Sequence, residues 1–147
     1  MKTGIIDCGG GLRGIYGAGV FDYCLDNNIS FDVVIGISAG SANLASFSSG
    51  QRGRNYYFYH EYPFRKEYMS IDNLLKKKYY LDLDYVYGKL SNSDGENPFD
   101  FDKFLENKSE KYIVTTDAKT GEAKYFDANK MNKNNYWLLK ASSCIPV

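Results

Sequence analysis

Short apolar runs alternate with glycine-rich loops in the first third of the chain. The runs at residues 2–7 and 31–35 each predict a short buried strand. Each run is followed by a loop and then by a helix, predicted from residue 15 to about residue 26 and over residues 41–49. This order predicts a parallel sheet with right-handed crossovers, and uninterrupted apolar runs are typical of strands that are covered on both faces.

The rest of the chain is less regular. Residues 56–87 favour helix but include a proline and clustered charges. The segments 111–116 and 122–126 predict a β-hairpin, because a turn-forming Asp-Ala-Lys-Thr-Gly sequence joins them. A final helix follows, with Asn134 or Asn135 as its expected N-cap.

Composition indicates one ordinary globular domain. The 147 residues carry 18 basic and 18 acidic side chains, which argues against general nucleic-acid binding, since that requires a basic surface. No apolar run approaches the ~20 residues of a membrane-spanning helix, and the N-terminus lacks the apolar stretch of a signal peptide. These features predict a cytoplasmic protein.

Three cysteines and one histidine make a poor metal-ligand set. Cys8, Cys24 and Cys144 form no C-x-x-C pair, so buried free thiols are the favoured interpretation and no metal is expected. Serine or cysteine chemistry that needs a histidine within this chain depends on His60, because it is the only one.

A G-x-S-x-G sequence lies directly after the second predicted strand. Gly36, Ser38 and Gly40 occupy its fixed positions, and Ala39 is small enough for a tight turn from strand to helix. In a nucleophile elbow, such a turn exposes the serine hydroxyl at the end of the strand, where the helix N-terminus favours negative charge. A chance glycine–serine turn is the alternative, but the strand–turn–helix context favours Ser38 as a nucleophile.

Residues 9–14 (GGGLRG) fit three descriptions. They are not a P-loop, because no Lys-Ser/Thr pair follows. They match a dinucleotide-binding G-x-G-x-x-G, but no acid stands at the end of the second strand. As an oxyanion hole, the backbone N–H groups of Gly9, Gly10 and Gly11 would stabilise the tetrahedral intermediate of acyl transfer to Ser38. The oxyanion hole is favoured, because it explains both glycine motifs with one reaction.

The sequence offers no convincing histidine base for Ser38. His60 follows the nucleophile helix closely, whereas hydrolases with a Ser-Asp-His triad place the histidine last in the chain. An ordinary packing or surface histidine is therefore the favoured interpretation of His60, and a lipase-like triad is disfavoured.

Together, these motifs resemble the patatin-like phospholipase family. Residues 9–14 resemble its oxyanion-hole motif, residues 36–40 its elbow, and residues 141–146 (ASSCIP) a third segment, A-S-x-x-[IF]-P, that precedes its catalytic aspartate. Residues 51–55 and 114–118 also resemble stretches of bacterial members. The resemblance implies a three-layer α/β fold, with a central, mostly parallel sheet and helices on both faces.

The resemblance also implies a lipid acyl hydrolase that uses a Ser-Asp dyad without a metal or other cofactor. Arg13 matches the basic position of the glycine motif, which suggests an anion-binding or loop-ordering role. The family's aspartate lies in a D-G-[GA] sequence beyond the third motif, whereas the only Asp-Gly pair here, Asp94-Gly95, precedes it in a turn-rich loop. We therefore expect residues 1–147 to be the N-terminal part of a single patatin-like domain that lacks the base and is inactive alone.

Alternatives from other classes stay open. These are a Rossmann-like nucleotide-binding domain and a non-catalytic lipid-binding module, and an acyltransferase that uses the same serine is not separated from a hydrolase. The expected partner is a lipid or acyl-ester substrate, and no nucleic acid is expected.

A tyrosine-rich stretch adds a possible membrane contact. Nine of the 14 tyrosines lie within residues 56–87, and Lys76, Lys77 and Lys78 form a short basic run there. This pattern is compatible with peripheral contact to an anionic membrane. A solvated helix end with aromatic residues in the core is the simpler interpretation.

Overall fold

In the computed structural model, which describes residues 1–145, four strands form one sheet in chain order. β1 (Gly4–Asp7), β2 (Val33–Ile37) and β3 (Glu110–Thr116) are parallel neighbours, and β4 (Ala123–Asp127) pairs antiparallel with β3. The α/β class and the mostly parallel sheet predicted from the sequence are confirmed.

Helices connect the strands and flank the sheet. The α-helices are α1 (Ile15–Asp26), α2 (Ala39–Ser48), α3 (Arg54–Tyr56), α4 (Ile71–Lys77), α5 (Phe101–Glu106) and α6 (Trp137–Ser143). α3 continues into a π-helical turn, Tyr57–Glu61, and a 3-10 turn, Tyr62–Phe64, and a second π-helical turn spans Tyr85–Leu90. Shorter 3-10 turns occur at Gly11–Gly14 and Ala128–Lys130.

The predicted cap of the last helix is wrong. α6 begins after Tyr136, which makes no capping hydrogen bond with its side chain. Asn134 is engaged elsewhere, because its side chain accepts from the N–H of Ser93 and donates to the Ser93 hydroxyl at 2.8 and 2.9 Å. The Asn134 side chain, predicted from the local sequence to cap the helix, therefore makes a tertiary contact with Ser93 instead.

Both parallel crossovers place their helices on the same face of the sheet. Each crossover moves to the next strand in the same direction, so right-handed connections put α1 and α2 on one side. The rings of Phe21 on α1 and Phe47 on α2 are accordingly 4.8 Å apart. On this side, Val34, Leu44 and Ile113 are completely buried in the core.

The opposite face of the sheet is only partly covered by residues 1–145. The strand register aligns Ile6, Ile35 and Tyr112 across this face and sets Val114 beside Tyr125. The side chains of Ile6 and Tyr125 are 62% and 66% exposed. The second helical layer of the three-layer prediction is therefore not formed by the described residues.

The cysteine prediction is only partly correct. Cys24 is buried in α1, but Cys8 and Cys144 are exposed because each lies in a loop just after a secondary-structure element. Within residues 1–145, no helix combines the length and the apolar character needed to cross a bilayer.

Candidate active site

Ser38 occupies the single-residue turn between β2 and α2. Its backbone has φ 55° and ψ −127°, and a non-glycine residue pays about 1–3 kcal/mol for such a sparsely populated conformation. The N–H and the hydroxyl of Ser41 both donate to the Ser38 carbonyl, at 2.9 and 2.6 Å. The strand–turn–helix placement of Ser38 predicted from the sequence is the placement observed.

The elbow packs directly against backbone. A Cβ atom on Gly40 would lie 2.1 Å from the carbonyl oxygen of Asp7, and a Cβ atom on Gly36 would lie 2.6 Å from the Cα of Ser41. These distances are far below van der Waals contact, so both positions exclude any side chain. Ala39, between Ser38 and Gly40, begins α2.

The glycine loop lies against this elbow. Gly9, Gly10 and Gly11 have positive φ values of 71°, 124° and 61°, and a Cβ atom on Gly9 would lie 2.4 Å from the carbonyl oxygen of Ile37. The N–H of Gly9 donates to Oδ1 of Asp7 at 2.8 Å. The N–H groups of Gly10 and Gly11 donate to no acceptor within residues 1–145. The available donors of the loop are therefore those of Gly10 and Gly11.

Arg13 is exposed on the same loop. Its backbone N–H donates to the carbonyl of Gly10 at 3.3 Å, and its Nε lies 3.5 Å from the same oxygen. Of the two roles expected for Arg13, these contacts support the ordering of the loop.

A buried amide connects the glycine loop to the helix that carries the elbow. Asn43 is fully buried in α2, and its Nδ2 donates to Oδ2 of Asp7 and to the carbonyl of Gly14 at 2.8 and 2.9 Å. Its Oδ1 accepts from Nδ2 of Asn55 and from the hydroxyl of Tyr59 at 2.9 and 3.0 Å. Both donors and both acceptor sites of the amide are thus used, which fixes the loop relative to α2.

α6 holds the elbow from the other side. The hydroxyl of Ser142 donates to the carbonyl of Val114 at 2.6 Å and accepts from the N–H of Ser38 at 2.7 Å. This hydroxyl joins the end of β3 to the turn that holds Ser38 and gives the third motif a structural role. Pro146, the last residue of that motif, lies outside the described residues.

An apolar cavity of about 240 Å³ opens beside Ser38. Gly11, Leu12 and Ala39 line the end that contains Ser38. The opposite wall comes mainly from the tyrosine-rich segment and includes Phe58, Tyr68, Met69, Leu81, Val86 and Tyr87. Among residues 1–145, no Asp or Glu lines this cavity. The walls therefore suit a hydrocarbon group, with Ser38 as a polar atom at one end.

Neither His60 nor Asp94 belongs to this cavity. His60 is exposed, and its ring lies 4.8 Å from that of Tyr56. Asp94 lies in a surface turn closed by a 2.8 Å hydrogen bond from the N–H of Gly95 to the carbonyl of Asn92. The structure thus supports the interpretation of both as ordinary surface features.

The cavity wall contains a buried cation, Arg54. Burial lowers the pKa of its guanidinium to about 10, because desolvation disfavours the charged form. Its donors reach the hydroxyls of Ser46 and Ser91 at 3.3 and 2.9 Å and the carbonyl of Asn97 at 3.1 Å. The guanidinium also lies 4.6 Å from the centre of the Phe58 ring. These contacts fasten the wall to α2 and to the loop at residues 91–97.

Three tyrosines of the wall are also removed from water. The pKa values of Tyr59, Tyr68 and Tyr87 are raised above that of an ordinary tyrosine, and desolvation is the largest cause. Their hydroxyls stay neutral at physiological pH. Those of Tyr59 and Tyr68 donate hydrogen bonds, to the carbonyl of Ala39 at 2.9 Å and to the carbonyl of Phe58 at 3.1 Å. The wall is therefore aromatic and uncharged except for Arg54.

Sequence reasoning missed Asn43, Tyr59 and the role of Arg54. The one local signal for Asn43 is that an amide stands among small and apolar residues in α2. Tyr59 carries no such signal, and Arg54 is marked only by the resemblance of residues 51–55 to bacterial members. The partners of both side chains lie far away in sequence and are brought close only by the fold.

A model of the family described as patatin-like phospholipase matches residues 8–147. The chain is also similar to the Escherichia coli (strain K12) protein YjjU, which is described as uncharacterized, with 28% identity over 144 residues. That similarity covers 94% of this chain and 38% of YjjU. The chain thus spans well under half the length of this relative. No solved structure matches the chain significantly.

Proposed function

The chain belongs to the patatin-like phospholipase family, and we therefore propose that it forms the nucleophile-bearing part of a lipid acyl hydrolase. The proposed substrates are carboxylic esters of lipids, phospholipids included. One observation carries the proposal: Ser38 lines an apolar cavity, next to a loop in which the backbone N–H groups of Gly10 and Gly11 are unused. A hydrocarbon pocket, a nucleophile and an oxyanion site in contact are what ester hydrolysis of a lipid requires.

The proposed reaction begins when Oγ of Ser38 attacks the ester carbonyl carbon. Its proton passes to a carboxylate base, and the carbonyl electrons move onto the oxygen, which accepts hydrogen bonds from the N–H groups of Gly10 and Gly11. The C–O bond then breaks, and the alcohol leaves with the proton from the base. The carboxylate then removes a proton from water, whose oxygen attacks the acyl carbonyl carbon. The bond between that carbon and Oγ breaks, the fatty acid leaves, and the protonated base returns the proton to Oγ of Ser38.

We propose that the base is an aspartate outside residues 1–147, so that this chain is the N-terminal part of a single domain. Two observations support this part of the proposal. No carboxylate lines the cavity within residues 1–145, and both oxygens of the nearby Asp7 accept hydrogen bonds from Gly9 and Asn43. The chain also spans only 38% of its relative YjjU, and alone it would lack the base.

The cavity is the proposed site for one acyl chain. Burial of each methylene contributes ~0.8 kcal/mol, which corresponds to about a fourfold change in kcat/KM. The experiments use the intact protein, meaning the chain that includes both residues 1–147 and the proposed base. In a series of p-nitrophenyl esters of increasing acyl chain length, we expect its kcat/KM to rise by about this factor per methylene. The increase should level off when the cavity is full. A flat series would contradict an acyl role for the cavity.

The assignment of Ser38 is tested by covalent labelling of the intact protein with a fluorophosphonate probe. We expect the wild type to react and Ser38→Ala to remain unlabelled. Ser143→Ala is the matched control, because Ser143 also lines the cavity and its hydroxyl lies 3.1 Å from that of Tyr87. Labelling that survives Ser38→Ala would overturn the assignment.

Phospholipid substrates lie in bilayers, so the proposal includes peripheral contact with a membrane. Two measurements separate it from the alternatives. Binding to lipid vesicles without ester hydrolysis by the intact protein would indicate a non-catalytic lipid-binding module. Thermal stabilisation by NAD or FAD would indicate a nucleotide-binding domain instead.

A further inference from the structure

Helix α4 presents its faces in the reverse of the usual order. Ile71, Leu74 and Leu75 have i, i+3 and i+4 spacing and so share one face of the helix, and this face is exposed, with 68% and 67% of Ile71 and Leu75 accessible. The polar Asn73 points inward instead: it is buried, and its Nδ2 donates to the carbonyls of Lys66 and Glu67 at 3.3 and 3.2 Å. In water, a surface helix normally buries its apolar face.

The helix is held in this orientation by its ends. The hydroxyl of Ser70 accepts from the N–H of Asn73 at 3.1 Å and caps the N-terminus. Lys78 ends the helix with a left-handed backbone, φ 65°. α4 belongs to a surface excursion of the chain, residues 69–81, and a β-bridge between Met69 and Leu81 closes the base of this excursion. The exposed apolar face is therefore part of an ordered element with defined boundaries.

The same excursion borders the cavity of Ser38. Met69 and Leu81, which form its base, line that cavity, as does Tyr80, which is 45% exposed. α4 thus lies between two chain positions, Met69 and Leu81, that line the proposed acyl site.

Positive charge surrounds the end of this face. Lys76, Lys77 and Lys78 follow Leu75 directly. Lys77 pairs with the buried Asp82 at 2.6 Å, and Lys76 makes only a loose contact with Asp72 at 3.7 Å, with both side chains largely exposed. Lysines with long apolar stems beside exposed leucines suit the boundary between acyl chains and anionic head groups.

From this arrangement we infer that the α4 surface, defined by Ile71, Leu74, Leu75, Lys76 and Lys78, is the site at which the protein docks on an anionic lipid bilayer. The inference rests on the proposed function, because docking serves to bring the cavity to the acyl chains of the proposed lipid substrate. It specifies a partner, a negatively charged phospholipid surface, and the helix face that touches it.

The test is co-sedimentation of the intact protein with phosphatidylcholine vesicles that contain or lack phosphatidylserine. We expect binding to the anionic vesicles and weaker binding at about 0.5 M salt. The double variant Ile71→Ser/Leu75→Ser should lose roughly tenfold in partitioning for each side chain. Its hydrolysis of a water-soluble short-chain ester should remain at the wild-type rate, because neither side chain lines the cavity.

Two controls separate apolar from charged contributions. Tyr125→Ser removes an equally exposed apolar side chain, 66% accessible, from the open face of the sheet, and it should bind vesicles like the wild type. Lys76→Gln/Lys78→Gln should reduce binding to anionic vesicles to the level seen with phosphatidylcholine alone. Lys77 is left unchanged, because its removal would strand the buried carboxylate of Asp82.

The outcomes distinguish this inference from the proposed function. Wild-type binding by Ile71→Ser/Leu75→Ser would overturn the inference even if esters are hydrolysed. A dimer in analytical ultracentrifugation that this variant abolishes would also overturn it, since a second copy of the chain would then cover α4. Vesicle binding that depends on α4 in a protein without esterase activity would support the surface and refute the hydrolase.

Discussion

The elbow at residues 36–40 and the cavity wall at residues 54–90 meet beside Ser38, but their geometry is fixed in different ways. In the elbow, backbone touches backbone, and Gly36 and Gly40 leave no room for a Cβ atom. In the wall, side chains pack against side chains, and Gly88 has open space around it. Hydrogen bonds of Asn43, on the same helix, and of the distant Ser142 hold the elbow region, whereas aromatic packing and Arg54 hold the wall.

This difference separates the chemistry from the choice of substrate. Most side-chain changes in the wall alter the size of the cavity and leave the close backbone contacts of Gly36 and Gly40 in place. Asn55 and Tyr59 are the exceptions, because they hydrogen-bond Asn43 and the carbonyl of Ala39. A change in the elbow shifts Ser38 itself. The wall is therefore the part in which substrate preference can vary while the reaction stays the same.

The strongest contrast is expected from adding one methyl group to each region. Gly40→Ala should lower the free energy of unfolding by at least about 3 kcal/mol, because the new Cβ atom meets the Asp7 carbonyl. Gly88→Ala, in the second π-helical turn, should change it by no more than about 0.5 kcal/mol. Urea unfolding monitored by circular dichroism measures both. Equal costs would mean that the two regions are packed alike.

A second test targets the amide behind the elbow. Asn43→Asp removes two donors and faces the carboxylate of Asp7 with another carboxylate, so we expect a loss of about 3 kcal/mol of stability and little fluorophosphonate labelling of Ser38. Asn73→Asp, a buried amide in α4, is the control and should cost about 1 kcal/mol with labelling intact. If Asn43→Asp is labelled normally, the amide does not position the site.

Alkaline pH is expected to weaken the wall. The raised pKa values of Tyr59, Tyr68 and Tyr87 mean that above pH ~10 the unfolded chain releases protons that the folded chain retains, so stability falls as pH rises. Arg54 acts in the opposite direction, because its pKa is lowered to about 10 in the folded state and the unfolded chain keeps its proton longer. Three tyrosines outweigh one arginine, with a net loss of roughly 2 kcal/mol per pH unit above pH ~10.

Urea unfolding at a series of pH values checks this prediction. Tyr68→Phe should reduce the fall of the unfolding free energy per pH unit by about half, because it removes one of the three tyrosines whose effect opposes that of Arg54. A slope that is unchanged in this variant would show that Tyr68 ionises equally in both states.

The smallest effect is expected at His60. His60→Ala removes an exposed ring that lies outside the cavity, so hydrolysis by the intact protein should stay within about twofold and stability within about 0.5 kcal/mol of the wild type. A fall of several orders of magnitude in kcat would restore the Ser-His-Asp triad and place the wall, rather than the elbow, at the centre of catalysis.

The elements near the elbow were predictable because their determinants are local. The helix predicted from residue 15 to about residue 26 is α1, Ile15–Asp26. The strand–turn–helix around Ser38 follows from a short apolar run and small residues in sequence. The position of the glycine loop beside Ser38 also follows, since parallel neighbouring strands end at the same edge of the sheet.

The wall was not predictable in the same way. Residues 54–64 change from α to π to 3-10 geometry within eleven positions, because side chains such as Arg54 and Tyr59 meet partners on α2 and in the loop at residues 91–97. The side of the sheet on which each helix lies follows from the strand order and not from the apolar pattern, because the one-directional order places α1 and α2 together on one face.

The backbone of Ser38 has a consequence for how this protein changes over generations. At φ 55° and ψ −127°, glycine is less strained than serine, so Ser38→Gly relieves the strain of the elbow while it removes the proposed nucleophile. Selection for activity and selection for stability therefore act in opposite directions at this residue. Under the proposed role of Ser38, a lineage that no longer needs the hydroxyl gains stability when glycine replaces this serine.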